Sequence, residues 1–355
     1  MNLDDLSLIT QIDSQQVLSE IEAFPNRLLS GWETGQSLPL PPLSASVRQV
    51  VFSAVGSPAL AADLIAALST PTCRIPVIVH RDYELPAFAA DAETLVVLCS
   101  LAGDDEEVLS AFQVALQRNC TILAIGAGGA LMEHVRRAGL SFWNYSATRS
   151  PSVAVGEWLG LLLALFARLN LMPDPTPDVL EAVQAMRDQQ TNLAPAIPAA
   201  LNPAKRYAGQ LVGRWVTIFG AGVLAPVARR WKTQINELAK APASFESLPE
   251  ADHNALAALV NPADVLQSRT LVMFLLAPSD HPRNRLRSEF TRQVFMLEGS
   301  NTDFYLAKGL SPLAHLCTAL QFGDYLAYYL AIAYQTDPAS SPVLEHFKET
   351  LASQS

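Results

Sequence analysis

Residues 94–110, TLVVLCSLAGDDEEVLS, run from an apolar strand through a glycine-containing turn into the start of a helix. Such a turn can cradle an anion, because the first turn of a helix presents unpaired N–H groups. Here Asp104 and Asp105 stand where neutral donors would serve an anion. Two unit charges 4 Å apart repel by about 1 kcal/mol in water and about 4 kcal/mol at an effective dielectric of about 20. A helix terminus returns only roughly 0.3–1 kcal/mol. A phosphate dianion beside ionised Asp105 is therefore repelled unless a cation intervenes. The alternative is that both aspartates cap the helix beginning at Glu106 and fill its dipole themselves.

Acidic and imidazole side chains such as Glu237 and His253 are of types that could carry acid–base chemistry, although their spacing alone does not single them out. A carboxylate partly withdrawn from water has its pKa raised and can act as a reversible base. An imidazole can give and take a proton near neutral pH. Each also has a plain structural reading. Glu237 lies three residues before Lys240, the spacing of a helix-surface ion pair, and His253 can cap a helix beginning near Asn254. Lys348, in a segment near the C-terminus, reads as a solvated helix lysine.

The elements that must position these residues alternate in type. RQVVFSAVG (48–56), RIPVIVH (74–80), TLVVLCS (94–100) and TILAIGAGG (121–129) read as strands, with helices such as ALAADLIAALS (59–69) between them. That order implies parallel strands joined by helical crossovers. A second series begins near Gly213, with strands RWVTIFGAG (214–222) and SRTLVMFLLAP (268–278) and the helix VLAPVARRWKTQINELAK. The expectation is a duplicated α/β protein with ligands outside the carboxyl ends of the strands. Its units are residues 1–150 (an N-terminal helix and the first α/β domain), 151–200 (a helical, Pro-rich connection) and 201–355 (the second domain and a C-terminal helix beginning at Ser341-Pro342). Gly220-Ala221-Gly222 is not a dinucleotide fingerprint, because the third glycine is missing.

Composition narrows the function. The net charge of −10 argues against nucleic acid, and half the residues being apolar argues against disorder. Cys73, Cys99, Cys120 and Cys317 have no metal-binding spacing, and Cys99 and Cys120 read as buried free thiols of a cytoplasmic protein. No secretion signal is visible in MNLDDLSLI. The apolar run from Trp158 to Met172 is too short for a bilayer and reads as a buried helix, with the option of lining a subunit interface.

Several runs together resemble the bifunctional phosphoglucose/phosphomannose isomerases: PVIVHRDYELPAF (76–88), NPAKRYAGQLVGRWVTIFGAG (202–222), VARRWKTQINELAKAPA (227–243), LPEADHNAL (248–256) and DHPRNRLRSEFTR (280–292). The resemblance implies two sugar-isomerase (SIS) domains of flavodoxin-like, three-layer architecture. It implies an aldose–ketose isomerase that moves a proton between adjacent sugar carbons through a cis-enediol, with no metal or cofactor. Glu237, in Gln234-Ile235-Asn236-Glu237, matches the family's base. His253 matches the ring-opening histidine, which in the family comes from the other subunit of a homodimer, and Lys348 matches the lysine of the final helix.

The family's phosphate loops map onto Gly56 and Ser57 in SAVGSP, and onto Ser100, Gly103 and Asp105 in SLAGDDEEV, where the family has SYSGNTEET. The family's arginine after the first domain aligns with Ser152, three residues beyond Arg149. With one hydroxyl donor replaced by Ala102 and another by Asp105, two alternatives stand beside the hexose 6-phosphate isomerase: an inactive sugar-phosphate-binding protein and an isomerase of a different sugar. The expected partners are a small sugar derivative and a second copy of the chain, not nucleic acid or membrane.

Overall fold

The computed structural model describes residues 2–144 and 153–353. It opens with helices α1 (Leu6–Ile12), α2 (Val17–Glu22) and α3 (Phe24–Ser37). The first α/β series is β1 (Gln49–Ala54), α4 (Gly56–Ser69), β2 (Val77–His80), β3 (Thr94–Ser100), α5 (Glu106–Gln117), β4 (Thr121–Gly126), α6 (Gly129–Arg137) and β5 (Ser141–Asn144). Helices α7 (Val155–Arg168) and α8 (Thr176–Gln190) follow. The second series is α9 (Pro203–Leu211), β6 (Trp215–Ala221), α10 (Ala225–Ala239), β7 (Ala243–Leu248), α11 (Ala263–Arg269), β8 (Thr270–Leu276), α12 (Pro282–Leu297) and β9 (Thr302–Leu306). The long α13 (Pro312–Ala333) and α14 (Pro342–Ala352) close the chain.

The strands form two sheets of order β2-β1-β3-β4-β5 and β7-β6-β8-β9, paired in parallel throughout. In each sheet the first strand is interior, with the second strand on one side of it and all later strands on the other. The switch point therefore falls between β1 and β3 in one sheet and between β6 and β8 in the other.

Strand alternation sends side chains to two faces. Val50, Phe52 and Ala54 of β1 join Val216 and Ile218 of β6 in one continuous core with α4, α7, α10 and α13. Val51, Val96 and Leu98 pack outward under α5 and α6, while Phe219 and Phe274 pack outward against Phe295 of α12.

Three expectations need correction. The apolar run around Trp158 is buried inside the chain and not at a subunit surface. α3 lies so close to α7 that a Cβ on Gly31 would sit 2.3 Å from the Glu157 carbonyl oxygen. The N-terminal region is three helices, and it reaches beyond the first sheet: Asp13 accepts the Tyr328 hydroxyl at 3.0 Å, and Asp4 meets buried Lys205 at 2.9 Å. Cys120 is half-buried, whereas Cys99 is buried. Strands β7 and β9 and the buried α13 carry no local signal that the sequence reading used.

Candidate functional site

The acidic turn after β3 is closed by its own bonds. The Ser100 hydroxyl donates to the Asp105 carboxylate and accepts the Gly103 N–H at 2.9 Å. Asp104 Oδ1 accepts the Ala130 N–H at 2.9 Å, so it caps α6 and not the helix that follows it. Asp105 holds the N-cap position of α5, yet its side chain makes no bond to that helix. Gly103 has a φ of +93°, and a Cβ there would lie 1.9 Å from the Gly128 carbonyl oxygen. The turns after β3 and β4 are thus pressed together, with Leu131 N–H donating to Gly103 O at 2.9 Å. Ser100, Gly103 and Asp105 are engaged with one another and with the neighbouring turn.

One strand over, the turn after β1 faces a cleft. Gly56 and Ser57 begin α4, whose N-cap residue Val55 supplies no side-chain bond. They line a cavity of about 290 Å³ with Arg81, Arg229, Arg230, Lys232, Thr233 and Phe245. Asp63 pairs with both Arg81 and Arg229, the latter at 3.1 Å. Arg230 pairs with Asp324 at 3.2 Å, both almost wholly buried, and its Nη1 is buried without a partner. Four cations against two carboxylates leave an excess of two positive charges. A cation does intervene, but at the β1 turn and not at the acidic one.

Lys232 and Thr233 also line the adjoining cavity of about 400 Å³, together with Asn236, Glu237, Lys240 and Ser341 to Leu344. α10 serves both cavities because Arg229, Thr233 and Glu237 recur every four residues along one face. The motif residues divide the work of holding that helix. Gln234 donates to Asp324 at 2.8 Å, Asn236 donates to the Ala241 carbonyl at 2.7 Å, and Ile235 is in the core.

Glu237 is left pointing into the cleft, half-buried. Burial raises its pKa, while Arg230, Lys240, Lys232 and Lys348 act against that rise. Lys240 does not form the expected surface pair: its ammonium donates to the carbonyls of Glu237 (2.6 Å) and Pro338 (3.2 Å) at the end of α10. Lys348 is exposed on α14, close enough for its charge to act on Glu237.

His253 lies elsewhere. It ends a short 3₁₀ turn after β7 and is exposed. The turn is fixed by Asp252, which accepts from Arg287 and Thr291 of α12, both at 2.7 Å. His253 lines neither cavity described above. Ser152 and Arg149 fall outside the described residues. The sequence reading missed Arg81, Arg229, Arg230 and Lys232. The available signal was the four-residue recurrence leading to Glu237, which puts Arg229 on the Glu237 face of the helix.

Among the described residues no group of His, Cys, Asp and Glu is arranged to hold a metal ion, and no helix is long and apolar enough to cross a membrane. Residues 200–351 match the family described as the bacterial phospho-glucose isomerase C-terminal SIS domain. A bifunctional phosphoglucose/phosphomannose isomerase of Caldicellulosiruptor bescii is 32% identical over 93% of this chain and 97% of its own. One from Aquifex aeolicus is 30% identical over 78% of this chain and 81% of its own. Among solved structures, a hypothetical protein of Thermus thermophilus superposes with a TM-score of 0.73 at 14% identity, covering 98% of this chain and 94% of that one.

Proposed function

The chain belongs to the bifunctional phosphoglucose/phosphomannose isomerase family, and from that premise we propose that it interconverts glucose 6-phosphate or mannose 6-phosphate with fructose 6-phosphate. In this reading the phosphate sits at the first turn of α4, between Gly56-Ser57 and the Arg81/Arg229 pair. The excess of two positive charges matches a phosphate dianion. Arg230, which also lines this cleft, is fixed by Asp324. The sugar chain then runs past Thr233 towards Glu237.

Glu237 is the base. Its carboxylate takes the proton from C2 of the aldose, or from C1 of the ketose, and the resulting carboxylic acid returns it to the neighbouring carbon. The cis-enediol forms and collapses between the two transfers. Burial supports this role by raising the carboxylate's pKa, since a stronger base removes a carbon-bound proton more readily. Lys348 orients the sugar hydroxyls and stabilises the negative charge that develops on oxygen.

Ring opening needs a group that gives a proton to the ring oxygen and takes one from the anomeric hydroxyl. We assign it to His253 of a second copy of the chain, because His253 does not face the cleft of its own chain. The Asp252–Arg287–Thr291 anchorage ties the His253 turn to α12. On α12, Leu286, Phe290, Val294 and Leu297 form an exposed apolar stripe, with Leu297 85% exposed. A second copy covering that stripe would bring the two halves of the site together.

The observation that carries the reading is Glu237, half-buried at the junction of a cationic cleft and the C-terminal helix. Proton NMR of fructose 6-phosphate in heavy water tests it. Glucose or mannose 6-phosphate should appear with deuterium at C2, and should form at least about a hundredfold more slowly with Glu237→Gln. Deuterium exchange at an undiminished rate in that variant would remove Glu237 from the mechanism. Mixing inactive His253→Ala with inactive Glu237→Gln protein tests the shared site: mixed dimers should restore about a quarter of normal turnover. No restoration after subunit exchange would place both groups in one chain.

A further inference from the structure

The second sheet has its own switch-point crevice. It opens beyond the carboxyl ends of β6 and β8, where Gly222-Val223 and Ser279-Asp280-His281 meet the end of α4 and the link between α7 and α8. Its volume is about 520 Å³, within the range of small-molecule sites. The walls are largely apolar, with Leu68, Met172, Pro173, Val223 and Leu313 among them. Three carboxylates line it, those of Asp174, Asp178 and Asp280, and among the described residues no lysine or arginine does.

Asp280 separates this crevice from an ordinary groove. It is 6% exposed. Its Oδ2 accepts the Ala277 N–H at 2.8 Å, which fixes the side chain. Its Oδ1 is buried and has no partner, and it lies 3.8 Å from where a Gly222 Cβ would be. The two residues flanking it in sequence are engaged elsewhere. The Ser279 hydroxyl bonds His315 Nδ1 at 2.8 Å, and His281 Nδ1 accepts the Arg283 N–H at 3.2 Å. Arg285 acts on Asp280 only through space. An asparagine could hold the same turn through Ala277 without a charge, so the turn alone does not call for a carboxylate. A buried charge without a hydrogen-bonded partner is costly.

We propose that this crevice binds a small organic cation, with an ammonium group against Asp280 and a compact apolar body against Leu68, Met172 and Val223. A phosphosugar is disfavoured there, because its dianion would meet three carboxylates and no compensating cation. The site is thus distinct from the Glu237 cleft and does not depend on what that cleft catalyses. The ammonium supplies the donors that Oδ1 lacks, and displacement of water from the apolar walls supplies the rest of the affinity.

Calorimetric titration of the full-length protein with cyclohexylamine, cyclohexanol and cyclohexanecarboxylate tests this, with fructose 6-phosphate present to occupy the other cleft. The amine should bind at least about tenfold more tightly than the alcohol, and the carboxylate should not bind. Asp280→Asn should erase the preference for the amine. Ala67→Trp, which fills the crevice from the end of α4 while leaving Asp280 in place, should abolish binding. Equal affinity for amine and alcohol would overturn the proposal, as would amine binding unaffected by Ala67→Trp, or no amine binding at all.

Discussion

At the carboxyl ends of β1 and β3 the chain presents Gly56 and Ser57 to four cationic side chains; at the carboxyl ends of β6 and β8 it presents Gly222 and Asp280 to two further carboxylates. The backbones are laid out alike, with an interior first strand, a glycine turn and a helix beyond it. What differs is the supply of charge from outside the turn. In the first crevice α10 of the other lobe brings Arg229, Arg230 and Lys232 across. In the second, the α7–α8 link brings Asp174 and the first turn of α8 brings Asp178. Parallel-sheet topology makes the crevice, and side chains contributed from distant segments decide what it can hold.

The largest effect should come from the proposed base. Glu237→Gln is expected to lower turnover by about 10²–10⁴-fold with an unchanged circular dichroism spectrum. A smaller loss would mean that the cationic crevice contributes more than Glu237 does. Next is the ion pair that supports the cleft. Asp324→Ala leaves Arg230 buried and unpaired and should cost about 3–5 kcal/mol in urea unfolding. If the cost is under about 1 kcal/mol, the guanidinium has found water, and the cleft is less enclosed than its geometry indicates.

Removing a single cation from the β1 crevice comes third. Arg229→Met should raise KM for fructose 6-phosphate by about 10–100-fold with kcat little changed, since its interaction is the same in ground and transition states. An unchanged KM would move the phosphate away from α4.

The smallest effect belongs to the acidic crevice. Burial lifts the Asp280 carboxyl to about 6, above its ordinary 3.8. Its ionisation therefore costs stability that is absent below about pH 4 and fully expressed above about pH 6. Asp280→Asn should stabilise the protein at pH 7.5 by on the order of 1–2 kcal/mol, and the gain should vanish at pH 4. A gain independent of pH would mean that Asp280 is already neutral or paired.

The strand–turn–helix rhythm around 48–129 and 214–239 was readable because buried parallel strands are apolar runs punctuated by glycine. The tetrad around Glu237 was readable because its residues are adjacent. The partners of the acidic turn were not: Asp104 meets Ala130, 26 residues on, and no local pattern encodes that. Nor was the cation cluster, in which Asp63 is bridged by Arg81 and by Arg229, 166 positions away. His253 and Glu237 stand only 16 positions apart in the sequence, yet the structure separates them. Proximity along the chain was a poor guide in both directions.

The docking of the first helices has a consequence for the order in which the chain can mature. Asp4 and Asp13 are made long before the residues that hold them, Lys205 and Tyr328, which lie 201 and 315 positions further along the chain. Contacts so distant in sequence form late. Helices α1 and α2 must wait, with Val17 and Ile21 uncovered, until α13 has emerged. Arrested chains ending before Pro312 should accordingly be cut by protease between α1 and α2, whereas chains extending past Ala333 should resist.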